Sequence, residues 1–330
     1  MNIETIELIF NIMVYVFVFL FGITIGSFLN VCIYRLPKGE SLTANNSHCM
    51  TCGTEIKRYD LIPVLSWLIL RGKCRACGAK ITPRYMLIEA LTGILFVLCY
   101  FFYPYTSNGI YFAMLALFIS GLIVLAFQDL DTQEMCVSVL IYTGLIAAAT
   151  HVLTLFDSST GDPLLTMPAD LKSCLIGMVS VSGALLLIGF VITPLIYSGF
   201  ISQDHKDLRR LTRAYKAADD EKTRRKLDKK ITAVKKAIRE NGPVFGFGMG
   251  DIVVMAAGGL MLGWKATVTA VVFAIITGAV FGIIKRAVTD DEDASNAFAF
   301  GPFLILGLVI GAYTGGSIVD SYLNYMFGGM

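Results

Sequence analysis

Charge is what this sequence has least of. Only 16% of its 330 residues are Asp, Glu, Lys or Arg, where a soluble chain carries about 25%. That scarcity excludes an ordinary soluble domain, because the uncharged residues gather into runs long enough to cross a bilayer. The net charge is only +2, so no general attraction to nucleic acid follows. The first apolar run also does not read as a secretory leader. Glu4 and Glu7 stand where a basic segment would, no small-residue cleavage site is evident, and the first apolar run, Ile6 to Val31, is too long for a leader's apolar region. It reads as a retained helix. No glycine-rich dinucleotide fingerprint is present either.

What is present is apolar: 55% of the residues are hydrophobic and the mean hydropathy is +0.69. Apolar runs fall at about 6–31, 85–103, 110–128, 135–155, 172–200, 251–264, 266–284 and 298–326. The expected fold is an all-α polytopic membrane protein with about eight transmembrane helices. The charges between the runs set its orientation. Residues 35–84 hold nine Lys/Arg and residues 203–241 hold fourteen, whereas Lys172 and Lys265 alone fall at the opposite face. The positive-inside rule makes both blocks cytoplasmic and both termini external. The expected organisation is helix 1 in 1–34, a cytoplasmic four-cysteine zinc-binding domain in 35–84, helices 2 to 5 with Asp129 in 85–202, a cytoplasmic basic helical hairpin in 203–243, and helices 6 to 8 in 244–330. The hairpin carries two narrow apolar stripes, Leu208-Leu211-Tyr215 and Leu227-Ile231-Val234-Ile238. It reads as a solvated pair near anionic headgroups, with partner docking as the other reading.

Two acidic points bound apolar runs. Gln128-Asp129-Leu130-Asp131 ends the third run, which travels inward, and Gly248-Met249-Gly250-Asp251 opens the sixth, which travels outward. Asp251 and one of the first pair therefore meet the cytoplasmic face at similar depth. Two adjacent carboxylates share a proton, so one can deprotonate water while the other polarises a peptide carbonyl. Gly248 and Gly250 would let a substrate backbone come close. A helix N-cap is the plainer reading of Asp251 taken alone. Asp129 and Asp131 point about 200° apart on a helix, so only one can face Asp251, and the residue physics does not choose between them.

Cys49-Met50-Thr51-Cys52 and Cys74-Arg75-Ala76-Cys77 are two CxxC pairs, each followed by Gly. Four thiolates at this spacing, in a reducing compartment, suit a structural tetrahedral zinc. His48 reads as a surface residue beside them. Cys32, Cys99, Cys136 and Cys174 lie in apolar runs and read as small buried hydrophobes. Gly22 and Gly26 could allow close helix packing, and Asn30 should face protein or water. Glu89, one turn into the second run, is either functional or hydrogen-bonded structure. Gly301-Pro302 reads as a helix start.

Taken together these motifs resemble the type 4 prepilin leader peptidases, polytopic aspartic peptidases with a Gly-x-Gly-Asp motif. The likeness is carried by Gly26-Ser27-Phe28-Leu29-Asn30-Val31-Cys32-Ile33-Tyr34-Arg35-Leu36-Pro37, both CxxC pairs, Ile62-Pro63-Val64-Leu65-Ser66-Trp67, Ile81-Thr82-Pro83-Arg84-Tyr85 with Glu89, Gly248-Met249-Gly250-Asp251 and Phe300-Gly301-Pro302-Phe303. The resemblance implies removal of the leader from prepilins or pseudopilins at the cytoplasmic membrane face. It also implies N-methylation of the new terminus by S-adenosylmethionine in many members. It maps the catalytic acids to Asp129, rather than Asp131, and Asp251. Cys136-Val137 and Val253 depart from the family's usual Pro-Asp or Pro-Asn and Lys. An ion-coupled transporter using Asp129, Asp251 and Glu89, and a non-catalytic assembly scaffold, are the competing readings.

Overall fold

A computed structural model of the chain describes residues 2–43, 47–157, 169–192, 248–288 and 299–327, with 210–215, 224, 227, 230 and 231 between them. Among these residues the fold is helical, without strands beyond two isolated bridges. We number the helices α1 (Ile3–Arg35), α2 (Leu65–Ile69), α3 (Arg84–Phe102), α4 (Tyr105–Thr132), α5 (Val137–Asp157), α6 (Leu171–Leu187), α7 (Met249–Leu262), α8 (Trp264–Val288) and α9 (Gly301–Phe327). Each expected apolar run carries one of these helices. Six of the described helices are long and apolar enough to cross a membrane, while Val137–Leu153 and Met249–Leu262 are shorter. The chain is thus a multi-pass membrane protein. The hairpin expected at 203–243 lies outside the described residues, apart from the few helical positions named above.

The chain divides into two compact units, Met1–Val181 with Val253–Met330, and Ser182–Ile252. In the first, α4 is the central helix. It packs on α5, α1, α9 and α3, and its Leu115, Phe118, Ile119, Leu122 and Leu125 are fully buried. Lipid tails are as apolar as leucine, so helix association in a bilayer depends on close packing and on small residues that permit it. The sequence supplies those residues at helical spacing. A Cβ added at Gly22 would stand 2.8 Å from Gly93 Cα, and one at Gly26 would stand 2.8 Å from Glu89 Cα. The Gly22/Gly26 pair is therefore the α1–α3 contact. Asn30, one turn on, donates to the Tyr85 carbonyl at 3.2 Å, which satisfies the polar group the apolar run had to place.

A second seam joins α9 to α8. Gly307, Gly311 and Gly315 recur every four residues and press on the backbone of Ala270 and Ala266. The Lys265–Asp320 ion pair closes the same two helices. Elsewhere, Gly258 of α7 meets the Leu308 side chain and Gly259 meets the backbone at Gly177, so small residues also seat α7 against α9 and α6.

A side chain at Gly307 has nowhere to go, because the obstructing atom is a backbone carbonyl oxygen. We expect Gly307→Ala to lower the thermal unfolding midpoint in detergent, at a cost of about 1–3 kcal/mol. Gly316→Ala, where nothing lies within 4 Å, should leave the midpoint unchanged or raise it. An unshifted Gly307 variant would contradict the close α8–α9 contact.

Candidate active site and metal centre

The four cysteines sit on two matching turns 25 positions apart. In the first, Cys49 N–H donates to the Thr54 carbonyl, Gly53 N–H to Cys49, and Ile56 N–H to Ser47. In the second, Cys74 donates to Ala79, Gly78 to Cys74, and Ile81 to Gly72. The bridges His48–Glu55 and Lys73–Lys80 flank them in register. Each turn closes on a glycine in the left-handed region, Gly53 at φ 69° and Gly78 at φ 72°, which explains the Gly after each CxxC.

The four sulfur atoms lie within 4.8 Å of one another, with Cys49 and Cys77 Sγ 3.9 Å apart. Zinc with Zn–S bonds of about 2.3 Å puts tetrahedral sulfurs about 3.8 Å apart, so this set fits the ion. Backbone N–H groups of Cys52 and Thr51 draw the Cys49 thiol down to about 6, and the Thr54 hydroxyl and N–H lower Cys52. The Ala79 N–H acts on Cys77 in the same sense. Its thiol neighbours, Cys52 first, together with burial outweigh that and push it up to about 11. Four crowded thiols do not all ionise alone, and a bound dication removes that obstacle. All four are free thiols. Asp60 braces the module from between the two turns, accepting from Arg75 Nε at 2.8 Å and Nη2 at 2.6 Å. That guanidinium holds the Asp60 carboxyl below the usual range. The brace is therefore fully present above the ordinary carboxylate range and is lost only as pH falls below that range, through the lowered Asp60 value.

The apolar run before Asp129 stops, but the helix does not. α4 continues to Thr132 and is closed by Gln133 in the left-handed region at φ 56°. Asp129 thus lies within the last turn of the helix, just past the end of the apolar run. It is 7% exposed, and its Oδ2 has no hydrogen-bond partner. The neighbouring Gln128 Nε2 is the other such buried atom among the described residues, while Gln128 Oε1 accepts from Cys136 N–H at 3.3 Å.

Asp131 has a different fate. It receives a two-pronged bond from Arg84, at 2.6 and 2.7 Å, and Arg84 also lies over the Phe127 ring. Asp131 therefore bridges the end of α4 to the start of α3 through a half-exposed ion pair.

Gly301 sits against Asp129. A Cβ there would stand 2.6 Å from Asp129 Oδ2, and the Gly301 amide is directed at that carboxylate. Sequence reasoning took Gly301-Pro302 as a helix start only. It is one, but the glycine also makes room for the acid, and nothing in local periodicity signals that. Cys136 differs from expectation as well. It is only half-buried, with Sγ 3.2 Å from Ser138 Oγ, because it lies in the turn ahead of α5. Cys32, Cys99 and Cys174 are buried as expected.

Asp251 belongs to the second unit and is 8% exposed. It is the third residue of α7 rather than the cap. Its Oδ2 accepts from the Gly248 N–H at 3.2 Å, which is the acidic half of a capping box. Glu89 is buried and accepts from the Val64 N–H at 2.7 Å, with Ser27 beside it. This hydrogen bond gives Glu89 a structural partner and does not by itself exclude a functional role.

The metal centre makes a direct prediction. Purified protein should carry about one zinc per chain, and Cys49→Ser or Cys74→Ser should remove most of it, as read by metal analysis. Full zinc content in both variants would refute the assignment.

The model of the bacterial Peptidase A24 N-terminal domain matches residues 20–103, which contain the glycine seam of α1, both cysteine turns and α3. The chain is 45% identical over 116 residues to the prepilin leader peptidase/N-methyltransferase of Myxococcus xanthus, a match covering 35% of this chain and 34% of that protein. It is 39% identical over 163 residues to the type 4 prepilin-like proteins leader peptide-processing enzyme of Escherichia coli, covering 42% and 60%. With the prepilin leader peptidase/N-methyltransferase of Legionella pneumophila it shares 27% identity over 337 residues, covering 94% of this chain and 95% of that one. No solved structure matches the chain. Through the matched N-terminal domain and a relative aligned over nearly its whole length, the chain is similar to the prepilin leader peptidase/N-methyltransferases.

Proposed function

We propose that this protein is a membrane-embedded aspartic endopeptidase that removes the leader from type IV prepilins or pseudopilins, with Asp129 and Asp251 as its catalytic pair. The observation that carries the reading is the buried Asp129 oxygen without a partner, beside an Asp131 that is paired with Arg84. A carboxylate oxygen kept away from solvent and left unbonded, with only the Gly301 amide directed at the group, is costly unless it has work to do. The family names supply the class of work, and the Gly-Met-Gly-Asp turn supplies a second buried acid.

In the proposed reaction one carboxylate is ionised and the other protonated. The ionised one takes a proton from water as the oxygen attacks the scissile carbonyl, while the protonated one donates to the carbonyl oxygen. The tetrahedral intermediate then collapses, the C–N bond breaks, and the amide nitrogen leaves with a proton from the dyad. Gly248 and Gly250 keep side chains out of the path of the substrate backbone. The leader stays in the cytoplasm and the pilin's apolar helix enters from the bilayer.

α7 has 14 residues, about 21 Å against a hydrocarbon core of about 30 Å. In this reading Trp264 and Lys265 are its outer anchor and Asp251 lies just below the cytoplasmic surface, which a helix of this length supports. Both termini are external in this arrangement, and the two basic blocks are cytoplasmic. The cysteine module, with zinc bound, is a structural cover over the entrance. N-methylation of the new terminus, with S-adenosylmethionine as donor, is the family's second activity. The described residues contain neither a strand nor a glycine-rich nucleotide turn, so we assign no residue and no step to that group.

Asp129→Asn and Asp251→Asn should each lower prepilin cleavage in membranes by at least about 10²–10⁴-fold. Asp131→Asn should leave cleavage within about threefold, since its ion pair with Arg84 is half-exposed and worth about 0–1 kcal/mol. Mass spectrometry of the processed pilin reads leader loss and the added methyl separately. Retained cleavage in either of the first two variants would sink the dyad.

A further inference from the structure

The polar segment between the first two spans contains a stretch that is not polar. Leu61 (42% exposed), Ile62 (47%), Leu65 (53%), Leu68 (53%) and Ile69 (71%) all present their side chains outward. Trp67, by contrast, turns inward, donating through Nε1 to the Ile81 carbonyl at 3.2 Å and lying over Gly72. A cluster of exposed large aliphatic residues marks an interaction surface. Its location indicates what covers it.

The stretch is fastened at one point. Val64 adopts φ 63°, ψ −54°, and Leu65 N–H bonds the Pro63 carbonyl at 2.6 Å. This is a γ-turn of the strained positive-φ kind, unusual for a β-branched residue. Its amide donates to Glu89 Oε2 at 2.7 Å. The height of Glu89 in the membrane is fixed by α3. That helix has 19 residues, about 29 Å, against a hydrocarbon core of about 30 Å. Arg84 therefore stands at the boundary and Glu89 roughly 7.5 Å further along the helix. A turn bonded to Glu89 is drawn to the boundary and does not stand off in the cytoplasm. The exposed aliphatic side chains beside it are then continuous with the lipid-facing surface of the spans. Exposed cations flank them in sequence, with Lys57 and Arg58 before and Arg71 and Lys73 after, as suits anionic headgroups.

We propose that residues 61–69 form an interfacial membrane anchor, held at the cytoplasmic boundary by the Val64–Glu89 bond, with Leu65, Leu68 and Ile69 in the lipid. The partner is the bilayer itself. The anchor fixes one end of the cysteine module at the membrane surface, and it does not depend on the assignment of the catalytic acids.

The test uses the full chain in nanodiscs containing anionic phospholipid. A fluorescent amino acid is placed by codon suppression at position 69, and separately at the exposed Glu40, which avoids thiol chemistry near the cysteine cluster. Lipids carrying a nitroxide close to the headgroup should quench position 69 about threefold or more above position 40, and aqueous iodide should quench it less. Equal quenching at the two positions by both agents overturns the proposal. So does a position 69 open to iodide in nanodiscs without prepilin and shielded only when a prepilin is added, which would make the face a polypeptide dock. Glu89→Leu, checked for unchanged zinc content, should bring lipid quenching at position 69 down to that at position 40. Undiminished quenching would refute the fastening role of Glu89.

Discussion

Hydrocarbon offers no hydrogen bonds, so every polar group carried into the spans must find a partner within the protein, and that requirement orders most of this fold. Thr92, Ser120, Thr150 and Thr267 return their hydroxyls to the carbonyl one turn back. Asn30 reaches across to α3. Tyr103 and Tyr313 bond carbonyls on each other's helices. Glu89 takes the amide of a strained turn, and Asp131 takes Arg84. Against that background the unbonded oxygen of Asp129 stands apart. The adjacent Gln128 Nε2 shares that condition, so the two orphaned atoms lie side by side at the end of α4.

The same solvent removes the hydrophobic drive that packs helices in water, and glycine replaces it here. The α1–α3 seam and the α8–α9 seam bring backbones close enough for dispersion to act. Gly301 uses the same freedom for a different end, leaving room for a carboxylate where any side chain would collide with it. Packing glycines and site glycines are thus the same device at different depths. The transporter and scaffold readings draw no support from the three relatives named above, which carry processing-enzyme names.

Much of the architecture was legible in the sequence. Apolar runs of span length can only be helices in lipid, and a repeated CxxC-Gly fixes both its turn and its ligand set. What was not legible depends on residues far apart in the chain. Arg84 reaches Asp131 across 47 positions, and Gly301 meets Asp129 from another helix, so neither contact leaves a local signature. The end of α4 lies past the end of its apolar run because charge stops an apolar run but does not stop a helix. Val64 reads as one more apolar residue in Ile-Pro-Val-Leu, and its strained turn is visible only beside Glu89.

The central claim is that two carboxylates share one catalytic proton. The pH dependence of kcat/KM for prepilin cleavage in proteoliposomes tests this most directly. A shared proton predicts a bell: activity falls on the acid side as the ionised carboxylate is protonated, and on the alkaline side as its partner loses the proton. A rate that rises with pH to a plateau and holds there would require only one ionised acid, and would contradict the pairing of Asp129 with Asp251.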